Sequence, residues 1–298
     1  MFPKPIRWQN GRACECGRKL AAYLLACILA GVSCVAAGAD EERDEPSPQN
    51  ATTKRLELMR SLIGEIGVSS PAIESESLLK FGPRPLLRYN DQTRALQGTR
   101  QLLDATVWRL SERGRPTALV TLEVYPLAEG TGQLFYEFVS LTPLPFAMQL
   151  PSGTKWNASP SELKIGPLAG APVPANSPAG RLAQMRQLAR RFSVEEDLNG
   201  EKIACRLLSQ PIDRYSDGDA SILDGAIFVF ANGTNPELGL LLECSDDGWS
   251  YGAFRLSSAA TFATLDGKQF FAAPAMGGYP YPLSAPYTAT NRVIELPE

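Results

Sequence analysis

Apolar residues recur at helical spacing in two short segments of the chain. Residues 55–62 read RLELMRSL and residues 181–188 read RLAQMRQL, so both follow the pattern RLxxMRxL. Residues three and four positions apart share one face of a helix. The apolar stripes are Leu56, Met59, Leu62 and Ile66 in the first segment, and Leu182, Met185, Leu188 and Phe192 in the second. The pattern predicts two amphipathic helices, each with one face in a core.

A second match follows each predicted helix. Residues 102–123 (LLDATVWRLSERGRPTALVTLE) align without a gap with residues 222–243 (ILDGAIFVFANGTNPELGLLLE), 120 positions later. Two matches in the same order indicate an internal duplication. Turn-forming residues between apolar runs, such as Asn232-Gly233, predict hairpins in both copies. The short apolar segments 85–89 and 203–208 are interpreted as equivalent strands that precede the hairpins.

These elements predict an α+β fold made by tandem duplication of a helix followed by a four-stranded antiparallel sheet. At the level of architecture, this order is similar to the cystatin-like folds and to tandem-repeat secreted inhibitors of the beta-lactamase-inhibitor type. Most of those proteins bind other molecules, so the similarity implies binding, although a fold alone is a weak guide to function.

The first forty residues have the pattern of an export signal. Basic residues precede an apolar run, residues 20–39, which ends in Ala37-Gly38-Ala39 before an acidic stretch. A basic region, an apolar region and an Ala-x-Ala end are typical of a cleaved secretory signal. The run is also long enough for an uncleaved membrane anchor, and Cys27 and Cys34 end loose lipoprotein boxes. All three interpretations place residues 40–298 outside the cytoplasm.

The remaining chain is divided by shifts in composition. Residues 143–178 contain eight prolines, and the acidic segment 40–51 has few apolar residues. The predicted divisions are a signal peptide or membrane anchor at 1–39, an acidic stalk at 40–51, a first helix-plus-sheet unit at 52–142, a Pro-rich linker at 143–177, a second unit at 178–273 and an extended Pro/Tyr tail at 274–298.

Composition excludes several classes of chemistry. The 298 residues contain no histidine, which removes Ser-His-Asp and Cys-His catalysis and histidine-ligated zinc. Removing residues 1–39 takes away five of 29 basic residues and one of 32 acidic residues, which leaves a net charge of −7. That charge does not favour binding to nucleic acid or to an anionic membrane surface. Membrane contact is therefore expected only through the N-terminal segment.

The RLAQMRQLARRF helix and the stretch RYSDGDASILDGAIFVFANGTNPELGLLLE resemble a group of exported planctomycete proteins for which no activity is known. The resemblance covers much of residues 85–270. It implies export and carries no activity, cofactor or site residue.

Two cysteines remain after the proposed cleavage. Cys205 and Cys244 each alternate with apolar residues, so each is expected on the buried face of a strand. In an oxidising compartment a Cys205–Cys244 disulfide is one interpretation, and two buried thiols are the other.

Glu123 and Glu137 are the candidate catalytic residues. A turn centred near Gly130 would place them directly opposite each other on neighbouring strands, where like charges are unfavourable. A carboxylate pair can perform general acid/base chemistry, as in glycoside hydrolysis. The alternative is two solvated glutamates on a hairpin without a catalytic role. Glu243, the counterpart of Glu123, is not followed by a carboxylate that corresponds to Glu137.

An acidic loop offers a candidate metal site. Asp217, Asp219 and Asp224 lie in RYSDGDASILDG, whose start imitates a calcium-binding loop. Ile222 stands where the turn glycine is required and Phe228 where the bidentate glutamate belongs, so the favoured interpretation is a solvated turn. No phosphate-binding glycine loop, CxxC pair or nucleophile elbow is present, and no cofactor is predicted.

Three aromatic residues outside the periodic segments are candidate ligand contacts. Trp156 lies in the Pro-rich linker, and Tyr279 and Tyr281 lie in the tail. They could stack on a glycan or anchor a partner, and the alternative is that they pack against their own segments.

The sequence therefore predicts an exported component of the cell envelope or periplasm that binds or assembles with an unknown envelope protein or glycan and does no catalysis. The alternative is a carboxylate-based hydrolase that uses Glu123 and Glu137 on an envelope glycan.

Overall fold

The structure is a computed structural model, and it describes residues 48–91, 94–95, 98–99, 101–128 and 130–297. The predicted signal and most of the acidic stalk lie outside these residues. The described part of the chain contains α1 (Pro48–Gly64), a short 3₁₀ helix (Glu76–Leu79) and α2 (Pro178–Ala189). None of these helices is long and apolar enough to cross a membrane.

Both α-helices bury the centre of the predicted stripe, whereas Leu56 and Leu182 are half-buried and Ile66 lies beyond the end of α1. Met59 and Met185 are completely buried, and Leu62 and Leu188 are each 4% exposed. Ser177 caps the start of α2, because its Oγ accepts a hydrogen bond from the amide of Gly180 at 3.1 Å. The second helix ends earlier than predicted, since Phe192 begins a strand.

Strands make up most of the rest. Within the described ranges, ten strands precede α2: β1 (Gly67–Ser69), β2 (Leu87–Asp91), β3 (Arg94–Ala95), β4 (Gly98–Thr99), β5 (Leu102–Leu110), β6 (Ala118–Pro126), β7 (Thr131–Ser140), β8 (Phe146–Gln149), β9 (Lys155–Ala158) and β10 (Gly166–Pro167). Nine described strands follow it: β11 (Phe192–Leu198), β12 (Glu201–Leu207), β13 (Asp213–Asp217), β14 (Ile222–Asn232), β15 (Asn235–Ser245), β16 (Gly248–Arg255), β17 (Ala260–Leu265), β18 (Lys268–Ala273) and β19 (Tyr287–Glu295).

The predicted α+β fold of two helix-plus-four-strand units is wrong, because the protein is mostly β. One sheet has five strands in the order β19-β7-β6-β5-β2. The other has nine strands in the order β10-β16-β15-β14-β12-β11-β17-β18, with β13 also paired to β14. Small sheets of two strands (β3-β4) and three strands (β1-β8-β9) complete the described structure.

The prediction of two four-stranded units failed for one local reason and one long-range reason. Residues 192–198 alternate buried and exposed positions, and this period of two forms strand β11 after the helix. Strand β11 then pairs with both β12 and β17, so the second sheet grows far beyond four strands. The predicted tail contains β19, which returns to pair with β7 of the first sheet. The predicted linker contributes β8 and β9 to the first core.

The two halves nevertheless share a set of strand registers. Glu123 pairs with Ala105 across β6 and β5, and Glu243 pairs with Gly225 across β15 and β14, each 120 residues later. Strands β2 and β13 pair with β5 and β14 with the same register, including an irregularity at the same place. We refer below to residues 48–140 as the first repeat and to residues 178–256 as the second repeat.

Three hydrophobic clusters define the layers. One contains α1 residues and one face of the five-stranded sheet, and a second contains α2 residues and one face of the nine-stranded sheet. The third combines the other faces of the two sheets, with Val107 and Leu119 from the first repeat and Ile227 and Leu241 from the second. The two sheets therefore pack on each other, and each helix covers the outer face of its own sheet.

Candidate ligand-binding cleft

In each repeat, one aspartate of the sheet accepts hydrogen bonds from two arginines, one on the helix and one on a neighbouring strand. Asp104 of β5 accepts from Arg55 of α1 at 3.3 Å and from Arg88 of β2 at 2.9 Å. The counterpart in the second repeat is Asp224 of β14.

Asp224 accepts from Arg181 of α2 at 3.0 Å and from Arg214 of β13 at 2.9 Å. Its side chain is 6% exposed. Two bound guanidinium groups satisfy a buried carboxylate, so this residue positions the helix.

The predicted calcium-type loop is not assembled as a ligand set. Asp224 is engaged by arginines, Asp217 accepts from the amide of Ala220 at 3.2 Å, and Asp219 is exposed. No cluster of three or more acidic, cysteine or histidine side chains suited to a metal ion occurs in the described ranges. The loop is a turn between β13 and β14.

A buried glutamate in each repeat accepts from a buried tyrosine. The Tyr89 hydroxyl donates to Glu123 at 2.9 Å, and the Tyr215 hydroxyl donates to Glu243 at 2.7 Å. Burial, followed by the charge of the neighbouring glutamate, raises the pKa of each tyrosine well above its ordinary value. These tyrosines stay protonated and act as hydrogen-bond donors.

The two glutamates differ in their other partners. Glu123 also accepts from the Tyr125 hydroxyl at 2.9 Å. Glu243 instead forms a bidentate ion pair with Arg115 of the first repeat, at 2.8 Å and 2.6 Å. A second ion pair, Arg109–Asp213 at 2.8 Å, also joins the two repeats.

Glu123 and Glu137 are not directly opposite each other as predicted. Glu123 pairs with Phe135 and Thr121 pairs with Glu137, because the hairpin is centred one residue earlier than Gly130. The two carboxylates are therefore diagonal neighbours on one face of the sheet. Glu123 is 7% exposed and Glu137 is half-buried. Little of the Glu123 carboxylate is therefore accessible from solvent.

The two cysteines are buried thiols that are not joined to each other. Cys205 lies on β12 opposite Val194, and Cys244 lies on β15 opposite Asp224. Burial, with the charge of Asp224 adding to it, raises the pKa of Cys244 to about 11. The sequence left open a disulfide or two buried thiols, and the structure contains two buried thiols.

The three candidate aromatic contacts have different positions. Trp156 is 1% exposed and stacks on Phe138 at a centroid distance of 5.2 Å, while its Nε1 donates to the carbonyl of Ala285 at 2.8 Å. It belongs to the core and offers no platform to a ligand. Tyr279 is 48% exposed and contacts Tyr281 edge-to-face at 5.5 Å. This pair remains available to solvent.

A cleft with a volume of about 250 Å³ lies where the two large sheets and the C-terminal segment meet. Its lining is mostly apolar and comes from short runs of consecutive residues: 139–140, 161–163, 253–255, 271–274 and 285–287, with Met276. Successive side chains of a strand point to opposite faces. Because consecutive residues of β16 and β18 line the cleft, it is bordered by strand edges.

Strand β16 corresponds to β7 of the first repeat. The Leu141 amide donates to the Thr117 carbonyl at 2.9 Å, and the Leu256 amide donates to the Glu237 carbonyl at 2.9 Å. Thr117 and Glu237 are related by the same 120-residue spacing as the other repeat positions. Counting back along each strand, Ala253 and Arg255 occupy the places of Phe138 and Ser140.

These equivalent edges have different neighbours. On β7, Phe138 pairs with Thr288 of β19, and the Ser140 amide donates to the Pro286 carbonyl at 2.8 Å. On β16, strand β10 pairs only with Ser250 and Tyr251. No described residue makes a backbone hydrogen bond to the outward amide or carbonyl of Ala253 or Arg255. The edge of β16 is thus unpaired at Ala253 and Arg255, while residues 163–165 lie against the neighbouring Gly252.

Arg255 supplies the cationic group of the cleft. Its Nε donates to the Ser257 carbonyl at 2.9 Å, and its Nη2 donates to the Ala259 carbonyl at 2.8 Å. The guanidinium carbon lies 5.1 Å from the centre of the Tyr287 ring. Burial lowers the pKa of Arg255 from its ordinary value. The guanidinium nevertheless remains a cation, because an arginine keeps its proton in proteins. Exposed Glu162, which also lines the cleft, has the opposite charge.

Comparisons with known proteins give no match: no protein-family model, no curated protein and no solved structure is significantly similar to the chain. The resemblance to exported planctomycete proteins therefore stays a prediction.

Sequence reasoning missed both the cleft and one element of the repeat. Strand β13, and not residues 203–208, is the counterpart of β2, and the shared pattern R-Y-x-D at 88–91 and 214–217 could have identified it. The open edge of β16 has no local sequence signal, because it depends on where distant segments end.

Proposed function

We propose that this protein is an exported, non-catalytic binding component of the cell envelope, and that its ligand occupies the cleft beside β16. The observation that carries the proposal is the cleft itself, which combines an apolar lining, a cationic Arg255 and open backbone groups at a strand edge. Ligand sites commonly combine an apolar wall with a few convergent polar groups. Export is proposed from the basic and apolar segments that precede residue 40.

The binding test uses a variant that fills the cleft. Ala272→Trp places a large side chain at an exposed residue of the lining, and Val173→Trp adds the same side chain at a position that is 86% exposed. Each chain would be immobilised and incubated with two probes from the native envelope, soluble wall glycan fragments and detergent-extracted proteins. Far-ultraviolet circular dichroism and denaturant unfolding would confirm that both variants fold.

We expect at least one probe to bind the unaltered chain and the Val173→Trp chain alike, and to bind the Ala272→Trp chain about tenfold less. Binding that is unchanged by Ala272→Trp, or no binding of either probe, would contradict the proposal. Export is tested separately by cell fractionation with mass measurement of the N-terminus. We expect an envelope protein that begins at Asp40, and recovery in the cytoplasm would contradict export.

A further inference from the structure

We propose that the open edge of β16 binds an extended peptide segment of a partner protein, which adds to β16 as an antiparallel strand at Ala253 and Arg255. This inference rests on the proposed function, because it names the chemical class of ligand for the same cleft. Strand addition at an exposed edge is a recurrent mode of peptide recognition, in which main-chain hydrogen bonds provide affinity.

The hydrogen-bonding groups of the edge suit a peptide backbone. The amides and carbonyls of Ala253 and Arg255 point away from β15, since the amide of the next residue, Leu256, donates to β15. In an antiparallel pair, residues with outward groups recur at every second position. A strand opposite this edge could exchange two hydrogen bonds with Ala253 and accept one from the Arg255 amide.

The first repeat shows a strand in the equivalent place. There the chain's own segment 286–289, with the sequence Pro-Tyr-Thr-Ala, lies along β7 and satisfies the amides of Phe138 and Ser140. The second repeat has only the two-residue strand β10, which ends before Ala253. The cleft therefore lies where the repeat relation places a strand that the described segments do not supply.

The lining defines the chemistry of this segment. The cleft is mostly apolar, and Arg255 and Glu162 oppose each other in charge, so a strongly charged segment is not favoured. Residues 40–47 of this chain, DEERDEPS, are unsuitable on this ground. The occupant that fits is an uncharged peptide with small side chains, comparable in composition to segment 286–289, contributed by a partner protein.

The test uses a displayed library of random heptapeptides as the probe, selected on the full immobilised chain. The tightest binders would be synthesised with and without an N-methyl group at each backbone amide in turn. N-methylation removes one backbone donor and leaves the side chain. Amide hydrogen exchange of the chain would be measured with and without each peptide.

We expect selected peptides to slow the exchange of the Ala253 and Arg255 amides, and N-methylation at one position to weaken binding about tenfold. Ala253→Pro removes the outward amide donor and should weaken binding to a similar extent, whereas Ala253→Gly keeps the donor and should not. Proline is tolerated at strand edges whose amide faces solvent. If Ala253→Pro fails to fold, the N-methylated peptides still decide the question.

Peptides that bind without protecting Ala253 and Arg255, or that tolerate N-methylation at every position, would overturn the inference. So would a library that yields no binder, or a chain that forms a dimer in which β19 of a second copy protects this edge. A glycan probe that binds the unaltered chain but not Ala272→Trp, together with failure of all peptides, would overturn the inference and leave the proposed function standing. If neither the peptides nor the glycan probe bound to the chain, both the inference and the proposed function would be overturned.

Discussion

The outer edges of β7 and β16 are equivalent in the two repeats and have different neighbours. Strand β7 is covered by the nine residues of β19, while β16 is covered by the two residues of β10. The C-terminal segment can complete one sheet only, and it completes the first. A duplicated core can thus leave one copy with a closed edge, which stabilises the fold, and the other with an open edge, where we propose that a partner binds.

The largest expected effect comes from removing the strand that closes the first edge. Ending the chain after Pro286 deletes β19, in which Tyr287 is 4% exposed and Thr288 is completely buried. We expect a loss of about 4 kcal/mol or more in the free energy of unfolding, measured with denaturant.

Pro167→Ser in β10 is the matched control on the other edge and should cost less than about 1 kcal/mol. An equal cost for the two changes would show that β10 stabilises its edge as much as β19 stabilises the other.

The next effect concerns the contact between repeats. Arg109 is 9% exposed and pairs with buried Asp213, so Arg109→Met leaves an uncompensated buried charge. We expect a loss of about 3 to 5 kcal/mol in unfolding free energy. The double variant Arg109→Met/Asp213→Leu should recover most of it, because both charges are gone.

Arg113, an exposed arginine close to Arg109 in sequence, provides the control. Arg113→Met should change stability by less than about 0.5 kcal/mol. If the double variant were no more stable than Arg109→Met, the pair would not be the main contact at this position.

A smaller effect on stability is expected at a packing contact beside the cleft, where the two repeats have different side chains. Leu119 faces Val139 in the first repeat, and the equivalent positions in the second are Gly239 and Phe254. A side chain at Gly239 would overlap the Phe254 ring. Gly239→Ala should therefore cost about 1 to 3 kcal/mol in unfolding free energy.

Adding Phe254→Val should recover part of that loss, because the smaller side chain at position 254 no longer overlaps the new methyl group. Gly166→Ala, where no atom lies within 4 Å, is the control and should be near neutral. A neutral Gly239→Ala would show that Phe254 does not depend on the glycine.

The smallest effect concerns the cysteines of the second repeat. The pKa of Cys244 is raised to about 11, so its reactive thiolate is present only as the pH approaches that value. In the folded chain that begins at Asp40, labelling of Cys244 by a thiol reagent at about pH 8 should be negligible and should rise with pH. Adding a reductant should leave the unfolding midpoint unchanged, and a lowered midpoint would indicate a disulfide.

Local patterns predicted individual helices and hairpins, but neither the fold class nor the site. The helices and the β5–β6 and β14–β15 hairpins could be predicted because their periodicity and turn residues lie within short windows. The pairing of β11 with β17 and of β19 with β7 joins distant segments, so no local pattern reports it. Trp156 illustrates the same limit, since a proline-rich sequence context suggested exposure and a contact with distant Ala285 keeps it buried.

The site depends on these distant pairings. Ala253 and Arg255 look like ordinary strand residues in sequence, and they become candidates only because β10 ends beside them and β19 lies elsewhere. The register of Glu123 and Glu137 shows how sensitive a site is to geometry. A shift of the hairpin centre by one residue turns a directly opposed pair into a diagonal one.

Amide hydrogen exchange of the unliganded full chain distinguishes a closed edge of β7 from an open edge of β16. We expect slow exchange at Phe138 and Ser140, whose amides are bonded to β19 and Pro286, and fast exchange at Ala253 and Arg255 on the open edge. Equal protection of the two pairs of amides would contradict this expectation, because it would mean that the edge of β16 is already closed.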